Sequence, residues 1–567
     1  GFRALVSSTT AHYNTAVGGC TLYANTTGAY NTGVGFKALK SNTCGHNNTA
    51  SGTYALASNT TGGCNTAVGD NVLASNTTGP YNTGTGKDAL AANTTAGYNS
   101  AFGYFALKNT TTGAYNTGSG AYALYTNTTG CKNAAFGKLA LYSNTTGCFN
   151  TASGYGALKS NTTANGNTAS GFCSLAANTT GASNIATGYK ALFANTTGAN
   201  NTASGMEALY TNTTGACNTA IGFSSLRSNT TAHYNTAVGG CALYANTTGT
   251  NNAAVGGAAL KSNTTGTRNT ASGYYAMCSN TTGQYNTAMG AYSMKLTTTG
   301  CSNVAIAYAS VHNNTTGCNN IGIGYQAVYA NTTGRSNVAV GFQALRTVTT
   351  GVCNVAVGEC ALYYTTGNEN TAVGTETMRQ NTSGTDNTAI GRMALFANTT
   401  ASYNTATGHS ALANNTTGSS NVADGNRALY TNTTGCHNTA SGSEALRFNT
   451  TACYNTAVGS CTLFANTTGA SNTGVGYNAL RDNTCGDANT ALGTSSLRGN
   501  TTGSHNTASG YATLRSNTTG LRNSAFGRSS MVNNTTGGHN TASGYYALQS
   551  NTTAAYNTAV GTYSLHK

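Results

Sequence analysis

Charge is nearly absent from this chain. Lys, Arg, Asp and Glu together make up 6% of its 567 residues, against roughly 25% in ordinary soluble domains. The few carboxylates, among them Asp70, Asp88, Glu207 and Glu359, lie too far apart to pair for acid–base work. The His residues, such as His12, His46, His312 and His409, have no regular partner. No Cys-x-x-Cys occurs, and no His–Cys cluster has metal-ligand spacing. Trp is missing and Pro occurs once, at Pro80. No apolar run reaches the roughly eighteen residues of a membrane helix. No leader peptide or initiator Met is visible. These absences argue against an enzyme, a metal or cofactor site and membrane insertion. Polarity without charge would also suit disorder, but the distribution of the remaining residues speaks against it.

An Asn returns every seventeen residues, from Asn14 through Asn31, Asn48, Asn65, Asn82 and Asn99 to Asn354. One residue is then missing, and the series resumes from Asn370 to Asn557. Such a period denotes a solenoid, in which each repeat buries its apolar side only against its neighbours. Position nine, counted from the Asn, stays aliphatic: Leu22, Leu39, Leu56, Leu73, and later Met277, Met294, Val311 and Val328. A disordered chain has no use for such a column; a core does.

The consensus coil is N-T-A-x-G-x-x-A-L-x-x-N-T-T-G-x-x, as in Asn65–Tyr81. Thr66-Ala67-Val68 has the character of a short strand. The Gly at position five, broken only by Ala307, signals a positive φ or a close approach of stacked backbones. Positions six to eleven, as in Tyr189–Ala194, read equally as one helical turn or as a second strand with a bend. Asn-Thr-Thr-Gly is turn chemistry. The expected architecture is a β-rich solenoid or β-roll of about 33 coils, with residues 1–567 forming one continuous array. Stacked at the strand spacing of about 4.8 Å, the coils would make a rod of roughly 160 Å. The Asn14 column is expected to form an amide ladder of the kind seen in cross-β stacks, the alternative being a plain turn role. One Leu per coil is a thin core, worth roughly 1.5–3 kcal/mol, so self-association is expected, with a homotrimer favoured. Thirteen-coil blocks recur from about residues 11, 232 and 452, where Ala-His-Tyr-Asn-Thr-Ala-Val-Gly-Gly-Cys or a close variant returns. Both chain ends fall inside a coil, which suggests a segment of a longer protein.

Seventeen Cys are present. Cys131 and Cys148, Cys301 and Cys318, and Cys436 and Cys453 share position sixteen in adjacent coils. One coil rise lies within the Cα separation of a disulfide, so three coil-to-coil staples are expected. Cys20 with Cys44, and Cys461 with Cys485, occupy positions seven and fourteen of successive coils and are further candidates. The rival reading for all of them is free thiols.

Position twelve is an Asn-x-Thr acceptor in most coils. Asn25, Asn59, Asn76, Asn93, Asn127, Asn144, Asn161, Asn178, Asn195 and Asn212 are therefore candidates for a column of glycans, or simply turn residues; the neighbouring Thr offer O-linked sites instead. Tyr collects at position six (Tyr104, Tyr155, Tyr189), ten (Tyr23, Tyr125, Tyr142) and seventeen (Tyr13, Tyr30, Tyr81), where rows would stack on one another or grip sugars. The formal charge of +14 is carried by Lys37, Lys40, Lys87, Lys108, Lys132 and others with no basic run. On that basis these are read as ordinary solvated positions rather than a nucleic-acid groove, and a mild attraction to anionic surfaces stays open.

The N-T-A-V-G…A-L…N-T-T-G pattern of Asn14–Gly28 and every later coil resembles repeats of phage-type tail-fibre and bacterial surface-fibre proteins. Through about five residues per coil it is also similar to the head repeats of trimeric autotransporter adhesins, whose period is shorter. The resemblance implies an extracellular, cell-surface or virion-surface β-rich fibre, trimeric and used for attachment. Three functions follow: a fibre shaft giving reach, a glycan-binding module, and an ice-binding solenoid. Against the last, the two Thr of Asn-Thr-Thr-Gly are adjacent, and in an extended strand they would face opposite sides.

Overall fold

The computed structural model describes residues 1–566. Two compact units emerge, Gly1–Gln284 and Tyr285–Lys567, and each is a parallel β-solenoid. Every coil contributes one three-residue strand from positions two to four. The first unit runs from β1 (Thr15–Val17) to β16 (Thr270–Ser272), the second from β17 (Thr287–Met289) to β33 (Thr558–Val560). Within each unit every strand pairs in parallel with the next, like residue upon like position: Thr49 faces Thr66, Ala50 faces Ala67 and Ser51 faces Val68.

The strands are short because only three residues per coil can alternate. Thr66 and Val68 point outward and Ala67 is buried, the period-two pattern of a sheet with one face on the core. Inside each coil the buried Ala of positions three and eight and the Leu of position nine meet; Ala38, Leu39, Ala50, Ala55 and Leu56 are all 0% exposed. The core is thus closed within a single chain. At three coil junctions the volume is balanced between neighbours: Thr21, Val72 and Thr462 at position eight meet Gly33, Gly84 and Gly474 at position three of the next coil, whereas Thr377 and Thr513 are followed by Ala389 and Ala525.

Positions six to twelve form neither a helix nor a second strand. In Gly35–Asn42 three overlapping turns follow one another, closed by Ala38 N–H to the Gly35 carbonyl (3.4 Å), Lys40 to Lys37 (3.3 Å) and Asn42 to Leu39 (3.1 Å). Lys37 and Leu39 stand third in the first two turns, with φ of 57° and 52°, the left-handed place usually held by Gly in a type II turn. The physical return is in the peptide orientation. Lys37 N–H reaches back to the Gly19 carbonyl (2.9 Å), while Leu39 N–H reaches forward to the Ala55 carbonyl (3.0 Å). Backbone groups that a helix would satisfy internally are aimed along the stack instead. Helix propensity is overridden by the need to bond both neighbouring coils.

Position five answers both expectations for its glycine. Gly18 has φ of 130°, and a Cβ there would lie 2.6 Å from the carbonyl oxygen of Gly35 in the next coil. Ala307, the one exception, holds φ of 100°. The missing residue is absorbed at the opposite corner, where Thr365-Thr366-Gly367 replaces Asn-Thr-Thr-Gly. Pairing is undisturbed, since Val355, Ala356 and Val357 still face Thr371, Ala372 and Val373.

Candidate functional site

Two columns of Asn line the interior. In the position-one column, Asn31 Nδ2 donates to the Gly45 carbonyl of its own coil (2.8 Å), and its Oδ1 accepts the backbone N–H of Asn48 (2.9 Å). Direct amide-to-amide contacts also occur here, as from Asn65 Nδ2 to Asn48 Oδ1 (3.1 Å). Asn14, Asn82 and Asn99 follow the same scheme. The shorter amide-to-amide ladder runs along position twelve, where the sequence had suggested a surface turn. Asn42 Nδ2 donates to Asn25 Oδ1 (2.8 Å) and to the Gly45 carbonyl (3.0 Å), and Asn59 Nδ2 donates in turn to Asn42 Oδ1 (2.8 Å). One carbonyl, that of Gly45, therefore ties both columns together.

This burial corrects the glycan reading. Asn25, Asn59, Asn76, Asn93, Asn127, Asn144, Asn161, Asn178, Asn195 and Asn212 are all 0% exposed. Both Nδ2 hydrogens of Asn59 are engaged inside the coil, so a sugar on this nitrogen would have neither a free bond nor room. The Thr beside them are at the surface. Thr26 is half-buried and Thr27 exposed, so adjacency does not send them to opposite sides of a sheet; the chain bends there.

Of the three expected staples, Cys301 and Cys318 are joined, with Cα atoms 4.7 Å apart. The other two pairs are in contact as thiols, Cys131 with Cys148 and Cys436 with Cys453, each with sulfurs 2.8 Å apart. Hydrogen bonding to Cys453, and then burial, push the Cys436 thiol up to about 11. Cys131 is raised by the same causes. The position-seven and position-fourteen pairs are not brought together. Cys44 lies among Thr27, Thr43 and Thr26, whose hydroxyls hold its thiol below the usual range, and Cys485 is lowered likewise by Thr468 and Thr484. Their supposed partners sit at the turns, where Cys461 Sγ lies 4.0 Å from Glu444 Oε2 and Cys20 N–H bonds the Phe2 carbonyl.

The Tyr rows stack. Tyr81, Tyr98 and Tyr115 at position seventeen have centroids 4.9 and 5.0 Å apart. At position six Tyr155, Phe172 and Tyr189 follow at 5.4 and 5.5 Å, and at position ten Tyr125 and Tyr142 at 5.3 Å.

One surface was missed by looking for runs of basic residues. Positions six, seven and ten share a face. Lys190 at position seven lies over the rings of Tyr189 at six and Phe193 at ten. Arg227 at ten binds Glu207 at seven of the preceding coil (2.8 Å). Residues 1–284 place ten Lys and Arg at these three positions against three acids, and residues 285–567 do the same. The surplus of seven in each unit equals the chain's whole +14, because all other positions sum to zero. The signal was in the sequence, in the phase of each cation modulo seventeen.

Among the described residues no group of three His, Cys, Asp or Glu is placed to hold a metal ion. Nor is any helix among the described residues long and apolar enough to cross a membrane. By fold the chain is a parallel β-solenoid protein of seventeen-residue coils. No protein-family model and no curated protein sequence matches it.

Proposed function

We propose that the chain is the shaft of an extracellular fibre or appendage, on a cell or virion surface, that supplies reach and attachment. The observation that carries this reading is the coil-to-coil bonding, which recurs along each unit with few breaks while positions six, seven and ten vary from coil to coil. A structure of that kind has no preferred length, and length is the property that duplication of thirteen-coil blocks changes. Self-association, with a homotrimer first in line, is supported by the outward face of β18 (Val304–Ile306), β19 (Ile321–Ile323) and β20 (Val338–Val340). There both outward rows are apolar and only partly covered, as at surfaces that meet a partner. A sugar coat, if one is carried, belongs on exposed hydroxyls such as Thr27.

Electron microscopy and light scattering of the full chain, beside a variant lacking residues 232–451, test this. The reading expects a filament that shortens by roughly 60 Å, thirteen strand spacings, and a mass three times that of the chain. Particles whose length does not follow coil number would overturn the shaft; a monomeric filament would overturn the trimer alone.

Ice binding is a second reading, favoured by the surface rows of Thr26 and Thr27 and their equivalents. Thr26 Oγ1 donates to the Thr43 carbonyl (3.1 Å), which holds the row in a fixed geometry. Thermal hysteresis measured on the purified chain decides it, and its absence removes this reading.

A further inference from the structure

We propose that the face formed by positions six, seven and ten binds a linear acidic polysaccharide, a polymer carrying carboxylates or sulfates, laid along the stacking direction within a unit. The inference stands apart from the shaft reading and does not require it.

Charge is the first argument. Four acids of this face are already neutralised by its own cations: Asp88 by Lys108 (3.5 Å), Glu207 by Arg227 (2.8 Å), Glu376 by Arg379 (3.0 Å) and Glu444 by Arg447 (2.8 Å). Beyond these pairs the face holds sixteen further Lys and Arg against two further acids, Asp70 and Glu359. Arg481, Arg498 and Arg515 hold position ten in three successive coils. Arg481 lies near Asp482 (3.6 Å) and the Phe464 ring (5.7 Å). Arg498 and Arg515 have no carboxylate and no ring among the described residues. Like charges stacked in register oppose each other. A row of anions at similar spacing would turn that opposition into paired, charge-assisted hydrogen bonds, for which the guanidinium fork is suited.

Shape is the second. Tyr122, Lys138, Leu139, Tyr142 and Lys159 line a shallow open groove in the first unit. In the second unit Tyr292, Lys295, Tyr308, His312, Gln326 and Tyr329 line another. Both occupy the same three positions of the coil and combine Tyr hydroxyls with cations. Lys138 and Lys159 are exposed and have no carboxylate partner among the described residues.

The aromatics then favour a sugar polymer over a nucleic acid. Single strands are gripped by bases stacking on open ring faces. Here the faces of Tyr155, Phe172 and Tyr189 are covered by one another at interplanar angles of 11°. A stacked row of this kind offers ring edges and phenol hydroxyls, which suit hydrogen bonding to sugar hydroxyls between the charged groups; in the grooves Tyr122 with Tyr142 (54°) and Tyr292 with Tyr308 (78°) are tilted or edge-on instead.

The test uses the full chain, with polygalacturonate as probe and dextran and poly-dT as comparators, by biolayer interferometry at low and high salt. Arg498→Glu with Arg515→Glu removes charge on the face. Arg335→Glu with Arg522→Glu removes the same charge from exposed positions sixteen and seventeen. The proposal expects polygalacturonate binding that weakens about tenfold or more in the on-face pair and at high salt, little change in the off-face pair, and none for dextran. Circular dichroism checks the fold, and an Arg498→Gln, Arg515→Gln pair should reproduce the loss if the Glu variants unfold. Absence of polygalacturonate binding, equal loss in both pairs, or tighter binding of poly-dT would each overturn it.

Discussion

Val72 occupies the space that a side chain at Gly84 would need: a Cβ built on Gly84 collides with Cγ1 of Val72. The same reciprocity joins Thr462 and Gly474, where the Cβ would lie 2.7 Å from Thr462 Cγ2. Each is a core contact between adjacent coils, and in most coils an Ala–Ala pair fills the place.

Gly84→Ala alone should therefore destabilise its coil by about 1–3 kcal/mol through overpacking. Val72→Ala alone should cost a similar amount through a cavity. The double variant restores the commoner Ala–Ala arrangement, so its cost should fall below the sum of the two by about 0.5–3 kcal/mol. Hydrogen exchange at the Leu73 amide, which bonds the Ala89 carbonyl (3.0 Å), reads this locally. Strict additivity would refute the packing account.

The position-twelve ladder has breaks that can be mended. Asn93 Oδ1 is buried without a donor because Thr110 stands where the next amide belongs. Thr110→Asn would supply that donor and also receive Asn127 Nδ2, now 3.5 Å from Thr110 Oγ1. A gain of about 1 kcal/mol is expected. Asn42→Ala should do the reverse, stranding Asn25 Oδ1 and one of the two Nδ2 hydrogens of Asn59, the other keeping the Gly62 carbonyl, at about 1–3 kcal/mol each. Denaturant midpoints of the two variants should move in opposite directions.

Left-handed residues offer a third check. Ala258 has φ of 56° at position seven, and Gly156 already occupies the same position with φ of 62°. Ala258→Gly should raise stability by up to about 1 kcal/mol, the relief of a strained backbone outweighing the added chain entropy. A loss of stability would mean that the turn imposes no strain.

Thiol reactivity follows thiolate content. Hydrogen bonds from Thr lower Cys44 and Cys485, so they hold more thiolate at neutral pH. Cys436, pushed up to about 11, holds almost none until strongly alkaline conditions. Iodoacetamide at pH 8 should label Cys44 and Cys485 first and Cys436 last, as peptide mass spectrometry can follow. Equal rates would contradict the arrangement of hydroxyls and paired sulfurs.

The period, the strand, the Leu column and the position-sixteen Cys pairs could be read from residues alone, because each is a side-chain identity held at one phase. Three features were not. The Leu39 turn uses residues with good helix propensity in a left-handed backbone, a choice made by bonds to adjacent coils that no local preference encodes. The Asn42 column looked like surface turn chemistry, since Asn-Thr-Thr-Gly suits a turn whether its Asn points in or out. Arg481, Arg498 and Arg515 looked scattered along the chain, and only stacking makes them a row.

The corner at Thr365-Thr366-Gly367 shows that a coil can lose a residue while its strand stays paired and its Thr365 hydroxyl still receives Asn381 Nδ2 (3.1 Å). Length changes are therefore tolerated at this one vertex. It is the natural graft point for displaying a foreign peptide, which would stand out from the wall of the coil while the floors above and below stay level.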